Sequence, residues 1–287
     1  MNRLNIGDYN ELTVTRFVDF GLYLDGGDEG EVLMPKKYVP EGTKVGDTLR
    51  CFIYLDQEER PVATTIEPLA KVGDFAWLEV AWVNEYGAFL KWGPEKDLFC
   101  PFHEQKKHME MGKRYIVYIY IDEKTYRIVA SAKVDKFLQN DDMPPYKPGD
   151  EVSLLVWQKT ELGFKVIIDN RYGGLVYDDQ VFRDLHTGDR LPGYIAYVRG
   201  DGKVDVSLQP VAGRQKKEFA DRLLSILQSE GGTLPIGDKT PAEEIYSRFQ
   251  VSKKVFKRAV GDLYKHHLIT LTPTSITLTE EGREIRD

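Results

Sequence analysis

The sequence predicts a multidomain, mainly β protein in which three five-stranded β-barrels are followed by a small α+β domain. The first observation is a repeat: FGLYL at residues 20–24 returns as YGAFL at 86–90 and, more faintly, as LGFKV at 162–166. In every copy one glycine lies 14 residues before the central glycine and another lies 25 residues after it. Glycine makes up only 25 of the 287 residues, so this frame indicates one module present three times. The second observation is a change from period-two to helical spacing after Gly213.

The predicted domains follow from the repeat. A chain of 287 residues is longer than one hydrophobic core usually serves. We predict a first barrel at residues 1–68, a second at 69–138, a linker at 139–147, a third barrel at 148–212 and the α+β domain at 213–287. The linker contains the stretch DDMPP at 141–145, which is polar and stiffened by proline as interdomain spacers are.

Each module reads as five short strands. In the first, strands are predicted at 12–20, 22–24, 31–35, 48–55 and 61–66, separated by turn clusters at 25–30 and 56–60. The second module predicts strands at 77–83, 86–92, 98–102, 114–121 and 126–132, and the third at 152–157, 163–169, 174–177, 190–198 and 204–208. Five short strands with glycines at the bends are typical of a small closed barrel.

The C-terminal domain reads as three helices and a hairpin. Phe219, Leu223 and Leu227 recur at helical spacing and predict a helix that ends at Gly231. A second helix is predicted to begin after the N-cap Thr240, and a third runs from Ser252 to about residue 266. Residues 268–271 and 276–278 then alternate around a Pro-Thr-Ser turn. This is the winged-helix layout, a variant of the helix-turn-helix.

The charge balance differs along the chain. The net charge of −7 argues at first against a polyanionic partner. Residues 1–146, however, hold 18 Lys and Arg against 25 Asp and Glu, whereas residues 213–287 hold 13 against 11. We therefore expect the C-terminal half to supply most of the attraction for any nucleic acid.

Exposed aromatic rings beside cations are the first functional signal. A small barrel with such a face is a platform on which unpaired bases stack while cations follow the phosphates. The alternation predicts outward-facing candidates at Phe20, Tyr23 and Arg60 (with Lys36 and Lys37) in the first module, at Tyr86, Phe89, Lys91 and Arg127 in the second, and at Lys165, Arg171, Tyr172 and Tyr177 in the third. The alternative is that these rings cover barrel ends or pack between modules.

The last helix gives the second signal. On a helical wheel Phe256, Ala259, Val260 and Leu263 share one side. The opposite side carries Lys254, Lys257, Arg258 and Lys265, with only Asp262 to offset them. A basic face on the last helix of a winged helix is where nucleic-acid phosphates would dock, although a solvated face is the alternative reading.

Other function classes find little support. The five histidines and two cysteines form no metal-spaced set, and neither a phosphate-binding loop nor a nucleophile elbow is present, so we expect no enzyme, no metal site and no cofactor. Cys51 and Cys100 lie in strand-like runs and are expected to be buried and reduced. With no signal-peptide pattern and no apolar run long enough to span a bilayer, we expect a cytoplasmic protein.

The repeated motif resembles a known RNA-binding module. Residues 20–24 and 86–90 are similar to the aromatic-Gly-Ala-Phe-Val signature of S1-type domains, a kind of OB-fold, and GLVY at 174–177 looks like that family's Gly-Leu-Val-His strand. The resemblance implies RNA contacts by Phe20, Tyr23, Asp56 and Arg60 in the first barrel and by Tyr86, Phe89 and Asp122 in the second. At the family's histidine position this sequence departs from the motif, with Leu33, Cys100 and Tyr177 in the three modules.

The order of modules resembles one family as a whole. Three S1-type barrels followed by a winged helix, with TPAEEIY at 240–246 and SKKVFKRAVG at 252–261, look like the bacterial conserved virulence factor B family. The resemblance implies an RNA-binding protein that acts on gene expression after transcription. Our leading hypothesis is a non-catalytic protein that binds single-stranded RNA, mostly through the third barrel and the winged helix. A regulator of duplex DNA led by the winged helix and a protein-interaction scaffold with vestigial barrels are the alternatives.

Overall fold

A computed structural model describes residues 4–139, 143–181, 184–210, 212–249 and 251–284, apart from the side chains of Asp179 and residues 212–218. Residues 140–142 of the predicted linker lie outside the described chain. The molecule divides into two compact units. One comprises residues 1–144, 153–191 and 201–203, and the other residues 145–152, 192–200 and 204–287.

Fifteen strands form three closed barrels, which confirms the predicted fold class. The strands of the first barrel are β1 (Tyr9–Val18), β2 (Gly21–Asp25), β3 (Glu31–Pro35), β4 (Thr48–Leu55) and β5 (Pro61–Thr64). The second barrel has β6 (Phe75–Val83), β7 (Gly87–Lys91), β8 (Leu98–Pro101), β9 (Arg114–Ile121) and β10 (Ile128–Ser131). The third has β11 (Glu151–Lys159), β12 (Gly163–Ile168), β13 (Tyr172–Tyr177), β14 (Arg190–Val198) and β15 (Val204–Ser207).

The strand order is that of an OB-fold. In the first barrel β1 pairs in antiparallel fashion with both β2 and β4, and β3 pairs in parallel with β5, so the sheet closes in the order 1-2-3-5-4. The second and third barrels have the equivalent order. Closure leaves no long unpaired sheet edge, and side chains alternate between the core and the outer surface.

The repeated glycines serve this closure. Gly46 N–H donates to the Val14 carbonyl over 2.9 Å, Gly112 N–H donates to Val80 over 2.9 Å, and Gly188 N–H donates to Val156 over 2.8 Å. These three glycines have φ between 78° and 98°, in the left-handed region that favours glycine. The central glycine has a different role: a Cβ on Gly87 would lie 2.3 Å from the Cys100 carbonyl oxygen. Only glycine therefore lets β7 approach β8 this closely.

A β-bulge interrupts the long first strand of every barrel at the same place. The register shifts between Val14 and Arg16 in β1, between Val80 and Trp82 in β6, and between Val156 and Gln158 in β11. One extra residue reverses the alternation beyond it, so the side chain two positions after a buried valine points outward. Trp82 is accordingly 43% exposed, although Val80 is buried.

The first two barrels share one apolar cluster. Phe52, Tyr54 and Val62 of the first barrel lie in the same cluster as Leu90 and Trp92 of the second. The Phe52 and Trp92 rings meet edge to face with centroids 5.6 Å apart. The two barrels therefore bury a continuous interface rather than folding as separate bodies.

The two cysteines are free and buried. Burial raises the pKa of the Cys51 thiol to about 12, and burial likewise raises that of Cys100 to about 12. Since the thiolate is the reactive form, both side chains are inert packing residues in the folded protein.

The buried thiols predict a loss of stability in alkali. Below the ordinary thiol pKa of about 8.5 both states hold the proton, so the full stability is present. As the pH rises from there towards 12, the unfolded thiols ionise while the folded ones do not, and the free energy of unfolding falls by up to about 1.4 kcal/mol per pH unit for each cysteine. Urea unfolding at pH 8 and pH 10 measures this slope. The Cys51→Ala, Cys100→Ala double variant should show a shallower slope, and an unchanged slope would contradict the assignment.

The C-terminal domain has the predicted winged-helix elements. It contains α1 (Ala212–Ser229), β16 (Thr233–Leu234), α2 (Ala242–Phe249), α3 (Lys253–Lys265), β17 (Ile269–Leu271), β18 (Ile276–Leu278) and α4 (Glu280–Glu284). β18 lies between β16 and β17 in a small sheet. The predicted apolar side of α3, from Phe256 to Leu263, is buried against α1 and α2 residues such as Phe219 and Phe249. None of the described helices combines the length and the hydrophobicity needed to cross a membrane.

Some details of this domain differ from expectation. The sequence did not indicate β16 or α4, because two and five residues are too few to show a periodicity. The Thr240 hydroxyl accepts a hydrogen bond from Gly237 N–H over 2.9 Å, so it closes the turn before α2. Ser252 does cap α3 as predicted, and its hydroxyl accepts from Val255 N–H.

Candidate nucleic-acid interface

The outer face of the second barrel carries four aromatic rings, Trp82, Tyr86, Phe89 and Phe99, which we call the aromatic platform. Trp82 and Phe89 are cross-strand neighbours in β6 and β7, and their rings stack with centroids 3.6 Å apart and planes 3° apart. Phe99 in β8 pairs with Phe89, and the two ring centroids are 5.0 Å apart. Tyr86, which directly precedes β7, is 65% exposed. Rings arranged in this way offer flat apolar surface to unpaired bases.

A cleft of about 530 Å³ adjoins the aromatic platform. The first barrel and the second both line it, with Leu55, Gln57, Glu59, Tyr86, Phe89, Trp92, Lys96, Asp97, Leu98, Phe99, Arg127, Ile128 and Val129. Its volume falls in the range of pockets that hold small ligands. Aromatic surface on one side and both cations and carboxylates on another suit a ligand that is flat and polar at its edge.

Arg127 and Lys96 meet the first barrel across this cleft. Arg127 Nε lies 3.1 Å from Glu59 Oε1, and Lys96 Nζ lies 2.9 Å from the same oxygen. Lys96 Nζ also donates to the Asp56 carbonyl over 2.7 Å. Of the predicted residues, the structure therefore brings Tyr86, Phe89 and Arg127 together at one site.

The first barrel places its two predicted aromatics outward. Phe20 is 58% exposed, Tyr23 is half-buried, and their rings meet edge to face. The Arg16 guanidinium lies 4.1 Å from the Tyr23 ring centroid. A hydrogen bond from Arg16 lowers the pKa of Glu31, and the same bond raises the pKa of Arg16. Arg16 thus covers one face of Tyr23, so this surface offers less free ring area than the second barrel.

The predicted polar residues Asp56, Arg60 and Asp122 lie in turns, which the two aspartates stabilise by hydrogen bonds. Partial burial acts to raise the pKa of Asp56, but hydrogen bonds from the Arg60 side chain and backbone outweigh it and lower the pKa. Arg60 also pairs with Glu58, and its side chain is 69% exposed. Asp122 accepts hydrogen bonds from the Thr125 hydroxyl and N–H, and the hydroxyl bond lowers its pKa. Both aspartates therefore form the β4–β5 and β9–β10 turns, where they border the outer face.

Lys91 points outward but forms an ion pair with Glu79. Its Nζ lies 2.6 Å from Glu79 Oε1, and this hydrogen bond lowers the pKa of Glu79. The side chain is 58% exposed on the same side of β7 as Phe89. A phosphate that reached Lys91 would have to compete with Glu79.

The third barrel differs most from the prediction. Tyr172, expected at the surface, is buried with 5% of its area exposed, because β13 begins at Tyr172 and pairs it with Ile168. Lys165 lies over Trp157, with its Nζ 5.0 Å from the ring centroid, and contacts Asp135. Arg171 is exposed and bonds Gln139, and Tyr177 is half-buried. Tyr172 cannot stack on a base without leaving the core.

The three residues assigned to the histidine position are not equivalent in the three barrels. Tyr23 pairs with Leu33, Phe89 with Phe99, and Lys165 with Leu175. Cys100 is buried and pairs with Ala88, and Tyr177 pairs with Gly163, so neither occupies the position that Leu33 has in the first barrel. The missed signal is a constant spacing, since Leu33, Phe99 and Leu175 each follow the central glycine by 12 residues.

The basic side of α3 lies at the surface as predicted. Lys254, Lys257, Arg258 and Lys265 are all exposed. Lys257 Nζ lies 2.8 Å from Asp238 Oδ1, and this hydrogen bond lowers the pKa of Asp238. We call these four cations the basic face of α3. Because Asp238 precedes α2 in the chain, a wheel drawn for α3 alone did not reveal this partner.

Two stretches of the chain match known domain families. Residues 6–66 match the S1 domain, which covers the first barrel. Residues 221–278 match the CvfB-like winged helix domain, which covers most of the C-terminal domain. These matches agree with the topology, and together they support nucleic-acid binding.

Relatives match over most of the chain. An uncharacterized protein YitL of Bacillus subtilis is 25% identical over 266 residues, covering 91% of this chain and 89% of the relative. Conserved virulence factor B of Staphylococcus epidermidis is 24% identical over 272 residues, with 91% and 90% covered. Its counterpart in Staphylococcus aureus is 22% identical over 249 residues, with 83% and 82% covered. The resemblance to the conserved virulence factor B family is thus confirmed.

A solved structure has the same extent. A multidomain protein with nucleic acid binding domains from Streptococcus pneumoniae is 22% identical, and the match covers 96% of this chain and 99% of the other, with a TM-score of 0.42.

Proposed function

We propose that this chain, which is related over most of its length to the conserved virulence factor B proteins, binds single-stranded RNA in the cytoplasm. In this proposal it acts on gene expression after transcription and catalyses no reaction. The S1 domain and the CvfB-like winged helix domain support the nucleic-acid partner.

The observation that carries the proposal is the aromatic platform. Trp82, Phe89 and Phe99 form one contiguous aromatic surface, and the side chains of Trp82 and Tyr86 are 43% and 65% exposed. Exposed rings of this kind cost solvation free energy unless a partner covers them. Unpaired bases offer the matching flat faces, whereas paired bases in a duplex keep theirs stacked on one another.

The basic face of α3 supports the same partner by a different interaction. Its cations attract phosphates and release counterions, which adds affinity without reading sequence. The acidic first half of the chain, with 25 Asp and Glu in residues 1–146, makes a non-specific electrostatic contact there weak. Stacking on the barrels and charge on the winged helix therefore have separate roles.

A competition experiment tests the proposal. A labelled single-stranded RNA of about 16 nucleotides, the upper site size of one OB-fold, is bound to the full chain and displaced with unlabelled RNA or with duplex DNA of the same sequence. We expect duplex DNA to compete at least about tenfold more weakly, since it offers no unstacked bases. Equal or stronger competition by the duplex would favour a DNA regulator led by the winged helix. An absence of binding at moderate salt would favour a protein-interaction scaffold.

Crosslinking in cells addresses the regulatory part. If the chain acts after transcription, ultraviolet crosslinking followed by sequencing should recover messenger RNA, with crosslinked peptides from the platform strands β6 to β8. Recovery of chromosomal DNA alone would contradict it.

A further inference from the structure

Glu59, which lines the cleft beside the aromatic platform, has a carboxylate oxygen with no partner in the described part of the chain. Glu59 Oε1 accepts both the 2.9 Å contact from Lys96 Nζ and the 3.1 Å contact from Arg127 Nε. Glu59 Oε2 is buried and has no hydrogen-bond partner among the described residues. Buried polar atoms in native proteins are nearly always satisfied, so an unpaired acceptor on a residue that lines a ligand-sized cleft indicates a place for a donor.

The turn that carries Glu59 fixes the position of this acceptor. Asp56 N–H donates to the Arg60 carbonyl over 2.9 Å, and the Asp56 carboxylate accepts from the N–H groups of Glu58 and Arg60. Glu59 has a φ of 62°, and Tyr126 has a φ of 57° at the corresponding point of the second barrel, so this conformation belongs to the turn. Lys96 binds the Asp56 carbonyl as well as Glu59, which ties the turn to the second barrel.

The surroundings of Glu59 define the ligand. Phe89, Phe99 and Tyr86 line the same cleft and offer ring faces. Lys96 and Arg127 place donors on the other oxygen of the same carboxylate, Oε1. A planar ring that carries an amino group beside a ring nitrogen acceptor matches this pattern, because its amino group donates to Oε2 while its ring nitrogen accepts from a cation.

We propose that the cleft takes one base of a bound single strand and selects a base with an exocyclic amino group, such as adenine or cytosine, against uracil, which has none. The inference rests on the proposed function and adds a base preference to it. The base stacks on the aromatic platform, and its exocyclic amino group donates to Glu59 Oε2. Uracil carries a carbonyl oxygen where adenine and cytosine carry the amino group. Its one donor on that edge, N3–H, is flanked by two carbonyl oxygens that the carboxylate repels. Because Oε2 is buried, side chains around it must shift as the base enters. Arg127 and Tyr86 are 56% and 65% exposed, so Arg127 can give up its contact with Oε1 while Lys96 keeps its own.

Three homopolymeric RNA probes test the selection. Oligoadenylate, oligocytidylate and oligouridylate of about eight nucleotides each fit one OB-fold site. We expect the full chain to bind the first two about tenfold more tightly than the third, the effect of one hydrogen bond to a charged group. In Glu59→Gln, the preference should fall to about twofold or less, because the amide can donate to a uracil oxygen as readily as it accepts from an amino group.

A neighbouring residue supplies the matched control. Glu58 lies in the same turn, is 65% exposed and pairs with Arg60, but does not line the cleft. Glu58→Gln changes the net charge equally and should keep the full preference. Glu59→Asp retains the charge for Lys96 and Arg127 while withdrawing the carboxylate by one methylene, and it should also reduce the preference. It replaces Glu59→Gln in the comparison if thermal unfolding shows that the amide variant does not fold.

The possible outcomes distinguish a failure of the proposed RNA binding from a failure of the base selection. If none of the three oligonucleotides binds, the proposed function fails. If they bind with equal affinity, if uridylate binds best, or if Glu59→Gln weakens all three equally, RNA binding stands and the base selection is overturned. A preference lost in Glu59→Gln and retained in Glu58→Gln supports the selection.

Discussion

Replacing Lys254, Lys257 and Arg258 with alanine should lower the affinity for single-stranded RNA by about a hundredfold at about 0.1 M salt. Each phosphate contact on a single strand contributes about 0.7 to the slope of log affinity against log salt concentration. Removing three contacts should therefore make that slope shallower by about 2. All three side chains are exposed on α3, and its buried side from Phe256 to Leu263 is untouched by the change. Affinity measured from about 50 to 300 mM salt gives both quantities.

The control must remove the same charge elsewhere. Lys44, Lys107 and Lys133 are exposed and lie outside both the aromatic platform and the basic face of α3. Their triple alanine variant changes the net charge equally and should lower affinity only a few-fold through the overall field. If the two triple variants behave alike, the basic face of α3 is not a binding site.

Replacing Trp82 and Phe89 together with alanine should weaken RNA binding by about tenfold or more and leave the salt slope unchanged. Stacking of one base on an aromatic ring contributes about 1–3 kcal/mol, and these two rings form the centre of the platform. Stacking involves no counterion release, so only the intercept of the salt plot should fall. The same titrations as for the α3 variant measure this.

Aromatic replacements provide the comparison. Trp82→Phe and Phe89→Tyr keep a ring at each position and should retain most of the RNA affinity. If the hydrogen bond from Trp82 to Asp97 were what mattered, Trp82→Phe would lose as much affinity as the alanine variant, because both lack that bond. An alanine variant that binds as the wild type does would show that the platform does not contact the RNA. A thermal unfolding curve for each variant excludes a general loss of structure, since Phe89 is half-buried.

Much of the fold could be predicted because its signals are local. Thr48–Leu55, Arg114–Ile121 and Arg190–Val198 are the strands that alternation and flanking glycines indicated, residue for residue. Spacing alone identified the frame of Gly46 and Gly112, whose positive φ and hydrogen bonds to β1 and β6 explain why it repeats. The side of α3 that is buried also followed from the wheel.

The candidate site was harder to predict, for two physical reasons. Trp82 lies two residues after the buried Val80, so strict alternation would place both side chains in the core. Only the bulge between them turns Trp82 outward. Glu59 contacts Arg127 although they are 68 positions apart, and no local pattern encodes an approach between barrels. The prediction that Tyr172 is exposed was wrong for a related reason. A tight turn at Asp169 and Asn170, with positive φ at both, starts β13 earlier than the glycines suggested.

The apolar seam between the first two barrels has a practical consequence for anyone who wishes to study them in isolation. A fragment cut after residue 68 would present Phe52, Tyr54 and Val62 to solvent with nothing to replace Leu90 and Trp92. Such a fragment should aggregate or dimerise during purification. The smallest fragment suitable for expression therefore contains both barrels on one polypeptide. The number of nucleotides bound per barrel has to be measured on that two-barrel fragment.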